Sequence, residues 1–239
     1  MILALETGQE LASVALLDEG AVAAERAFRH RMSLSRDLIP TIESLLAEAG
    51  VPWRDVEAVS VGLGPGSYTG LRIGVVTAKT LAWASDRPVL GISSLTALVA
   101  PHLAPPDALL CAVLEARADE FFTALYQRRD GELQLRAEAT VLPAAELAQR
   151  LSAYPGPVLV AGHTARFAAA LEKTAEGRRQ GTVILSGDRG VQTEFDEEPQ
   201  ARWIGRLAAS RLRAGERDLP LALEPLYVRA PTPTIRRSD

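Results

Sequence analysis

The succession of hydrophobic periods along the chain restricts its fold more than any single motif does. Three short apolar runs, residues 2–5, 12–17 and 21–28, read as strands, and Asp18-Glu19-Gly20 is a tight-turn sequence between the last two. The period then changes. Leu34, Leu38, Ile42, Leu45 and Ala49 recur every three or four residues, with Ile39 and Leu46 beside them, and predict an amphipathic helix ending at Gly50. Ser35 or Asp37 can cap this helix, which confines Pro40 to its first turn, where a missing N–H costs nothing. A strand over 56–61, a helix over 71–85, a strand over 89–92 and a short helix from Ser93 or Ser94 to Ala100 follow. The first hundred residues therefore run βββαβαβ, three antiparallel strands and then crossovers.

Pro101, Pro105 and Pro106 interrupt the chain and mark a boundary between two lobes, 1–100 and 107–229. The second lobe opens on a strand pair, 109–114 and 120–127, around Arg117-Ala118-Asp119. A strand over 133–140, a helix after Pro143, a strand over 158–161, a helix after Thr164, a strand over 182–185 and a last helix over 199–213 complete it. The last helix is free in this reading to pack back on the first lobe. Residues 230–239, rich in Pro, Thr and Arg, are expected to form a disordered tail. The predicted class is α/β, two lobes each with a mixed sheet and flanking helices.

Composition removes several functions. A net charge of -4 argues against a domain that grips RNA or DNA by itself, since such domains are usually basic. The single cysteine, Cys111, excludes an intrachain disulfide framework and a cysteine-based zinc site. The N-terminus turns polar after five residues without a basic region, and no apolar run approaches the ~20 residues that span a bilayer. The expectation is a soluble, cytoplasmic protein without a membrane partner. His30, His102 and His163 show no metal-ligand spacing, so neither a metal nor a catalytic residue is assigned to the chain.

Gly64-Pro65-Gly66-Ser67-Tyr68-Thr69-Gly70 joins a strand to a helix, a natural place to hold phosphate. Each known phosphate signature fails here. Gly70 is followed by Leu71 rather than the lysine of a Walker loop. Gly64, Gly66 and Gly70 are spaced one residue too wide for a dinucleotide fingerprint, and Pro65 removes a donor. The helix that follows is more telling. Gly70, Gly74, Ala78 and Ala82 form a strip of small residues, bordered by Leu81 and Ser85. Ile73, Thr77, Thr80 and Ala84 make a second nearly apolar face, and only Arg72 and Lys79 are strongly polar. Such a helix is buried on more than one side. The strip permits close approach of another helix, either this chain's first helix or one from another protein, and the residues alone leave both open.

Other phosphate contacts are altered too. Glu6-Thr7-Gly8 ends the first strand. The βββαβαβ order resembles each half of the actin-like folds, and that resemblance would place a second phosphate loop at Glu115-Ala116-Arg117-Ala118, where Arg117 puts a bulky charge in place of glycine, and an adenosine contact at Val160-Ala161-Gly162-His163, which has one glycine of the usual pair. Together these point to a fold that has lost a nucleotide site, with residual binding at residues 6–8 left open. Arg202, Arg206, Arg213 and Arg217 would line one side of the last helix, and could touch tRNA, if it extends that far.

Residues 64–74 resemble the signature of the TsaB (YeaZ) proteins almost residue for residue. Leu3-Ala4-Leu5-Glu6-Thr7 is similar to that family's start, where Asp is usual in place of Glu6. Residues 115–121 and Pro225-Leu226-Tyr227-Val228-Arg229 match two further stretches. One departure is Leu34 before Ser35, where the family often has His. The resemblance implies an actin/Hsp70/sugar-kinase-like fold. It implies work in making threonylcarbamoyladenosine at position 37 of ANN-decoding tRNAs, as a non-catalytic scaffold. A TsaD-type catalytic subunit would carry the metal and ATP, this chain would bind no cofactor alone, and a TsaE-type ATPase would be recruited. Contact with tRNA would come only through the complex, and isolated copies would pair with each other. The implied interface comprises Leu38, Ile42 and Leu45 of the first helix with Gly70, Arg72, Ile73, Gly74, Ala78, Leu81 and Ala82 of the second. On that reading Gly74→Leu or Ala78→Trp abolishes pairing and leaves the monomer folded. The rival enzyme readings are a metal-dependent peptidase and an ATP-dependent small-molecule kinase of the same fold.

Overall fold

Two five-stranded sheets with the same internal order build the protein. In the first, β1 (Ile2–Glu6), β2 (Leu11–Asp18), β3 (Ala21–Arg29), β4 (Ala58–Gly62) and β5 (Val89–Ile92) lie in the order β3-β2-β1-β4-β5. In the second, β6 (Leu109–Arg117), β7 (Glu120–Arg129), β8 (Glu132–Pro143), β9 (Val158–Gly162) and β10 (Ile184–Leu185) lie in the order β10-β9-β6-β7-β8. The senses match as well. β1 is antiparallel to β2 and parallel to β4, and β6 is antiparallel to β7 and parallel to β9. Each lobe thus repeats the order of an actin-like half. The computed structural model describes residues 1–29, 33–102, 104, 108–172, 184–185 and 198–228, with backbone alone at 171–172 and 184–185. The tail at 230–239, His30, Arg229 and the first half of the strand predicted at 182–185 lie outside the described residues.

Among the described residues, six α-helices clothe the sheets: α1 (Leu34–Glu48), α2 (Tyr68–Ala84), α3 (Ser94–Val99), α4 (Ala144–Ser152), α5 (Thr164–Glu172) and α6 (Ala201–Arg213). Strand alternation decides which helix meets which face. Leu3 and Leu5 of β1 point into a core shared with Leu38, Ile42 and Leu45 of α1 and Val75, Ala78 and Ala82 of α2. Ile2 and Ala4 point the other way, into a core with Ile204, Ala208 and Ala209 of α6. α3 does the converse, packing Leu95, Leu98 and Val99 against Leu110, Ala112 and Leu114 of β6. The third helix of each lobe therefore covers the sheet of the other. Because β1, β4 and β5 are covered on both faces, every residue in them is buried, and they read as continuous rather than alternating apolar runs.

Two local expectations are corrected. The cap of α1 is Ser33, so Ser35 and Asp37 sit inside its first turn and Pro40 falls in its second. Pro40 is on the exposed side, where solvent can serve the carbonyl that loses its partner. α6 stops at Arg213, so Arg217 is beyond the helix and the four arginines form no single strip. Arg202 pairs instead with Glu25 of β3, and Arg206 donates to the Gly20 carbonyl at 3.1 Å and lies over the Trp203 ring.

After α6 the chain runs back as a strap along the edge of the first sheet. Asp218 bridges to Val89 of β5, accepts the Gly91 N–H at 2.7 Å and pairs with Arg211 at 2.9 Å. Leu223 enters the first core, its carbonyl accepts Lys79 Nζ at 3.1 Å, and the Leu226 N–H reaches the Leu63 carbonyl at 2.7 Å. The strap thus covers an edge that would otherwise offer unpaired backbone groups.

Candidate functional site

The glycine loop lies over the end of β1, and several of its N–H groups are bonded inside the protein. The Gly64 N–H donates to Ser94 Oγ at 3.1 Å, the Ser67 N–H to the Gly8 carbonyl at 2.7 Å and the Gly70 N–H to Ser67 Oγ at 3.2 Å. The Leu71 N–H closes the first turn of α2 on the Ser67 carbonyl. Glu6, fully buried, accepts the Gly8 N–H at 2.7 Å and the Ser94 hydroxyl at 2.6 Å. Burial pushes its carboxyl above the ordinary glutamate value, partly offset by the Ser94, Gly8 and Thr7 hydrogen bonds. Gly62 is required here, since a Cβ would lie 2.1 Å from Glu6 Oε2. The loop is a packed joint rather than an open phosphate cradle.

The small-residue strip faces inward. Thr7 Oγ1 donates to the Gly70 carbonyl at 2.9 Å, and a Cβ on Gly74 would lie 2.0 Å from that same oxygen. A Cβ on Gly70 would lie 2.2 Å from the Thr7 carbonyl. Ala78 and Ala82 are wholly buried in the first core, as are Leu38, Ile42 and Leu45 to within a few per cent. These seven residues, named from sequence as a partner surface, therefore hold α1 and α2 to their own sheet. The close approach is made at Gly70 and Gly74 and is to Thr7, just past the end of β1, while Ala78 and Ala82 share the first core with α1 of the same chain. Gly74→Leu and Ala78→Trp would disrupt that packing, so a folded but unpaired monomer is the wrong expectation for them. Of the remaining three, Ile73 and Leu81 pack partly against the core, and Arg72 is exposed with its Nη1 on Tyr68 Oη at 3.0 Å.

What α1 and α2 present outward was only partly legible. Val76 and Trp83 are 61% and 77% exposed, and Ile39 of α1 is 40% exposed. Val76 stands about 200° round the helix from Gly74 at 100° per residue. Ile73, Val76, Thr80 and Trp83 follow one another at three- and four-residue steps and make a stripe on the side away from β1. Trp83, a large indole on a helix side that it shares with Ile73, Val76 and Thr80, was the signal available in the sequence. No helix among the described residues is long and apolar enough to cross a membrane, and among them no group of three or more His, Cys, Asp or Glu is placed to hold a metal.

The second lobe closes in a similar way. The Glu115 N–H donates to His163 Nδ1 at 3.1 Å, and the His163 N–H to the Val113 carbonyl at 2.9 Å. Gly162 has φ 111°, and a Cβ there would lie 2.2 Å from the same carbonyl. Arg166 of α5 pairs with Glu115.

Comparison with known proteins agrees with this geometry. The family model described as TsaD: tRNA N6-adenosine threonylcarbamoyltransferase matches residues 19–188. The tRNA threonylcarbamoyladenosine biosynthesis protein TsaB of Bacillus subtilis (strain 168) is 32% identical over 220 residues, 90% of this chain and 95% of that protein. Its namesake in Escherichia coli (strain K12) is 35% identical over 53% of this chain and 55% of that protein. Among solved structures, YeaZ from Pseudomonas aeruginosa superposes with a TM-score of 0.75 at 30% identity, covering 95% of this chain and 98% of that one. With a relative of this likeness along nearly its whole length, the same two-lobed fold and the loop signature at residues 64–74, the chain belongs to the TsaB family.

Proposed function

We propose that this protein is the non-catalytic partner of a TsaD-type threonylcarbamoyltransferase in the cytoplasm and docks on it through the outer faces of α1 and α2. The observation that carries the reading is the exposure of Val76 and Trp83 on α2 together with that of Ile39 on α1. Large side chains this exposed on adjacent helices mark a protein contact better than they serve a free monomer. Paired helical stripes of this kind associate by helix-on-helix packing, and two copies of the chain can use the same face to pair with each other. The catalytic partner supplies ATP and metal chemistry, and a TsaE-type ATPase joins at the assembled pair. The bonding of the Gly64, Ser67 and Gly70 N–H groups to Ser94, Gly8 and Ser67 of the chain itself supports the non-catalytic assignment, since a phosphate ligand would have to displace those partners.

The test is co-purification with the transferase, followed by an assay of threonylcarbamoyladenosine formation with and without this chain. Trp83→Asp should leave the fold intact, within about 0.5 kcal/mol of wild type because the side chain is exposed. It should weaken capture at least about thirtyfold, as loss of a central aromatic anchor does. Undiminished capture by Trp83→Asp together with Val76→Asp would refute this face, and modification at full rate without the chain would refute the partner role.

A further inference from the structure

Between the lobes lies an open cleft of about 340 Å³, bounded by the ends of β1, β6 and β9, the start of α2 and the strap. Nothing in the docking reading uses it. Its floor is Gly8 against Gly66, so close that a Cβ on Gly66 would lie 2.3 Å from the Gly8 carbonyl, and the Ser67 N–H is spent on that same carbonyl. A polyphosphate finds no cradle there. The walls differ in kind. Tyr68 of α2 and Tyr227 of the strap stand with ring centres 5.1 Å apart and planes 34° apart, each with about two-fifths of its surface open (41% and 42%). The Arg72 guanidinium lies 5.3 Å from the centre of the Tyr68 ring. Across the cleft, from the other lobe, come Arg117 of the β6–β7 turn and Arg166 of α5, both exposed, the second held in place by Glu115.

Half-open aromatic rings on one wall, with guanidinium groups on the facing wall, are the chemistry that holds single-stranded RNA: bases stack on the rings and phosphates meet the arginines. A peptide would ask for a deep apolar socket or a free strand edge. The cleft offers tilted half-open rings instead, and the strap covers the neighbouring edge of β5. We propose that this cleft takes an unpaired nucleotide of tRNA, its base against Tyr227 and Tyr68 and its flanking phosphates at Arg117 and Arg166. The choice of tRNA rests on the proposed function; the stacking site itself does not.

The test uses the full chain alone at low salt, with fluorescently labelled tRNA and a labelled single-stranded decauridine read by anisotropy. Both should bind. Tyr227→Ala should weaken binding about five- to a hundredfold, the range for losing one aromatic–base stack, while Tyr227→Phe stays within about twofold. Arg117→Ala should weaken both RNAs alike and reduce the slope of log affinity against log salt by about one. Circular dichroism checks that each variant is folded. No binding by wild type, or wild-type affinity in Tyr227→Ala, overturns the proposal. So does displacement of the RNA by micromolar ATP or AMP, which would make a free nucleotide the occupant. Capture by the transferase is measured separately without RNA. A Tyr227→Ala chain that keeps RNA affinity and loses capture makes the cleft a protein contact, and the proposal falls. A chain that binds RNA but is never captured fails the docking reading alone.

Discussion

Replacing Gly74 by alanine asks which way the small-residue side of α2 faces. The new Cβ would stand 2.0 Å from Thr7 Oγ1, 3.1 Å from its Cβ and 3.2 Å from its Cγ2. Thr7 cannot swing aside freely, because it is fully buried and its hydroxyl is bound to the Gly70 carbonyl. Overpacking of this kind costs about 1–3 kcal/mol, and loss of the hydroxyl bond about 0.5–1.5 kcal/mol more. Alanine returns about 1 kcal/mol through helix propensity. The expected net loss is about 1–3 kcal/mol, read from urea denaturation by circular dichroism. The cause is isolated by Thr7→Gly, which removes the obstructing side chain. In that background Gly74→Ala should be neutral or stabilise by up to about 1 kcal/mol, a coupling of about 1–4 kcal/mol across the cycle. An equal effect in both backgrounds would refute the contact. Unchanged stability with lost capture of the transferase would return the strip to the partner surface.

Glu6 should leave a signature in pH. Its carboxyl is raised in the folded state, so the fold holds that proton more tightly than the unfolded chain does. The stability it brings is complete below the ordinary glutamate value and is lost as pH rises through the raised one. Glu6→Gln removes that decline, so the variant should gain on wild type between pH 5 and pH 8 in matched urea titrations; parallel curves would exclude it. Asp218→Ala cuts the bonds to Gly91 and Arg211, and should speed amide exchange across the strap from Glu216 to Leu226 far more than in the sheet cores. Cys111, buried beside Thr123 with its thiol pushed up to about 12 by burial, should resist alkylation at pH 8 and react only as fast as the protein unfolds.

Much of the architecture was legible because each element carries its own period. The βββαβαβ order follows from runs of two and of three or four residues, and the sheet order follows once three antiparallel strands must precede the crossovers. What the sequence hid was direction. Gly70, Gly74, Ala78 and Ala82 announce close packing but not its object, since a strip of small residues fits the end of a strand as well as a foreign helix. Only the approach of Thr7 decides, from sixty-three residues away along the chain to Gly70. The crossing of α3 to the other sheet was hidden for the same reason, and that of α6 was foreseen only as an option: both helices are apolar enough to pack, and nothing local states on which sheet. Tyr227 was visible as part of a motif, but its partnership with Tyr68 depends on the strap crossing the mouth of the cleft.

The closed turns and the exposed helices are physically one feature. In a phosphate-binding fold the turns at the ends of β1 and β6 must offer free amides across the cleft. Here Glu6 and the Gly8 carbonyl consume the first set together with those of the glycine loop, and His163 ties the second turn to β9. Reopening the first turn would mean parting Thr7 from Gly70 and Gly74, which would lift α2 from its sheet and shift Val76 and Trp83 with it. On the proposed function, the closed turn and the pose of the Val76–Trp83 stripe thus depend on the same contacts. A surface fixed before binding has less freedom to lose on association. Loosening the Glu6–Ser94 or Thr7–Gly70 contacts should therefore weaken partner capture even though none of these residues can reach a partner.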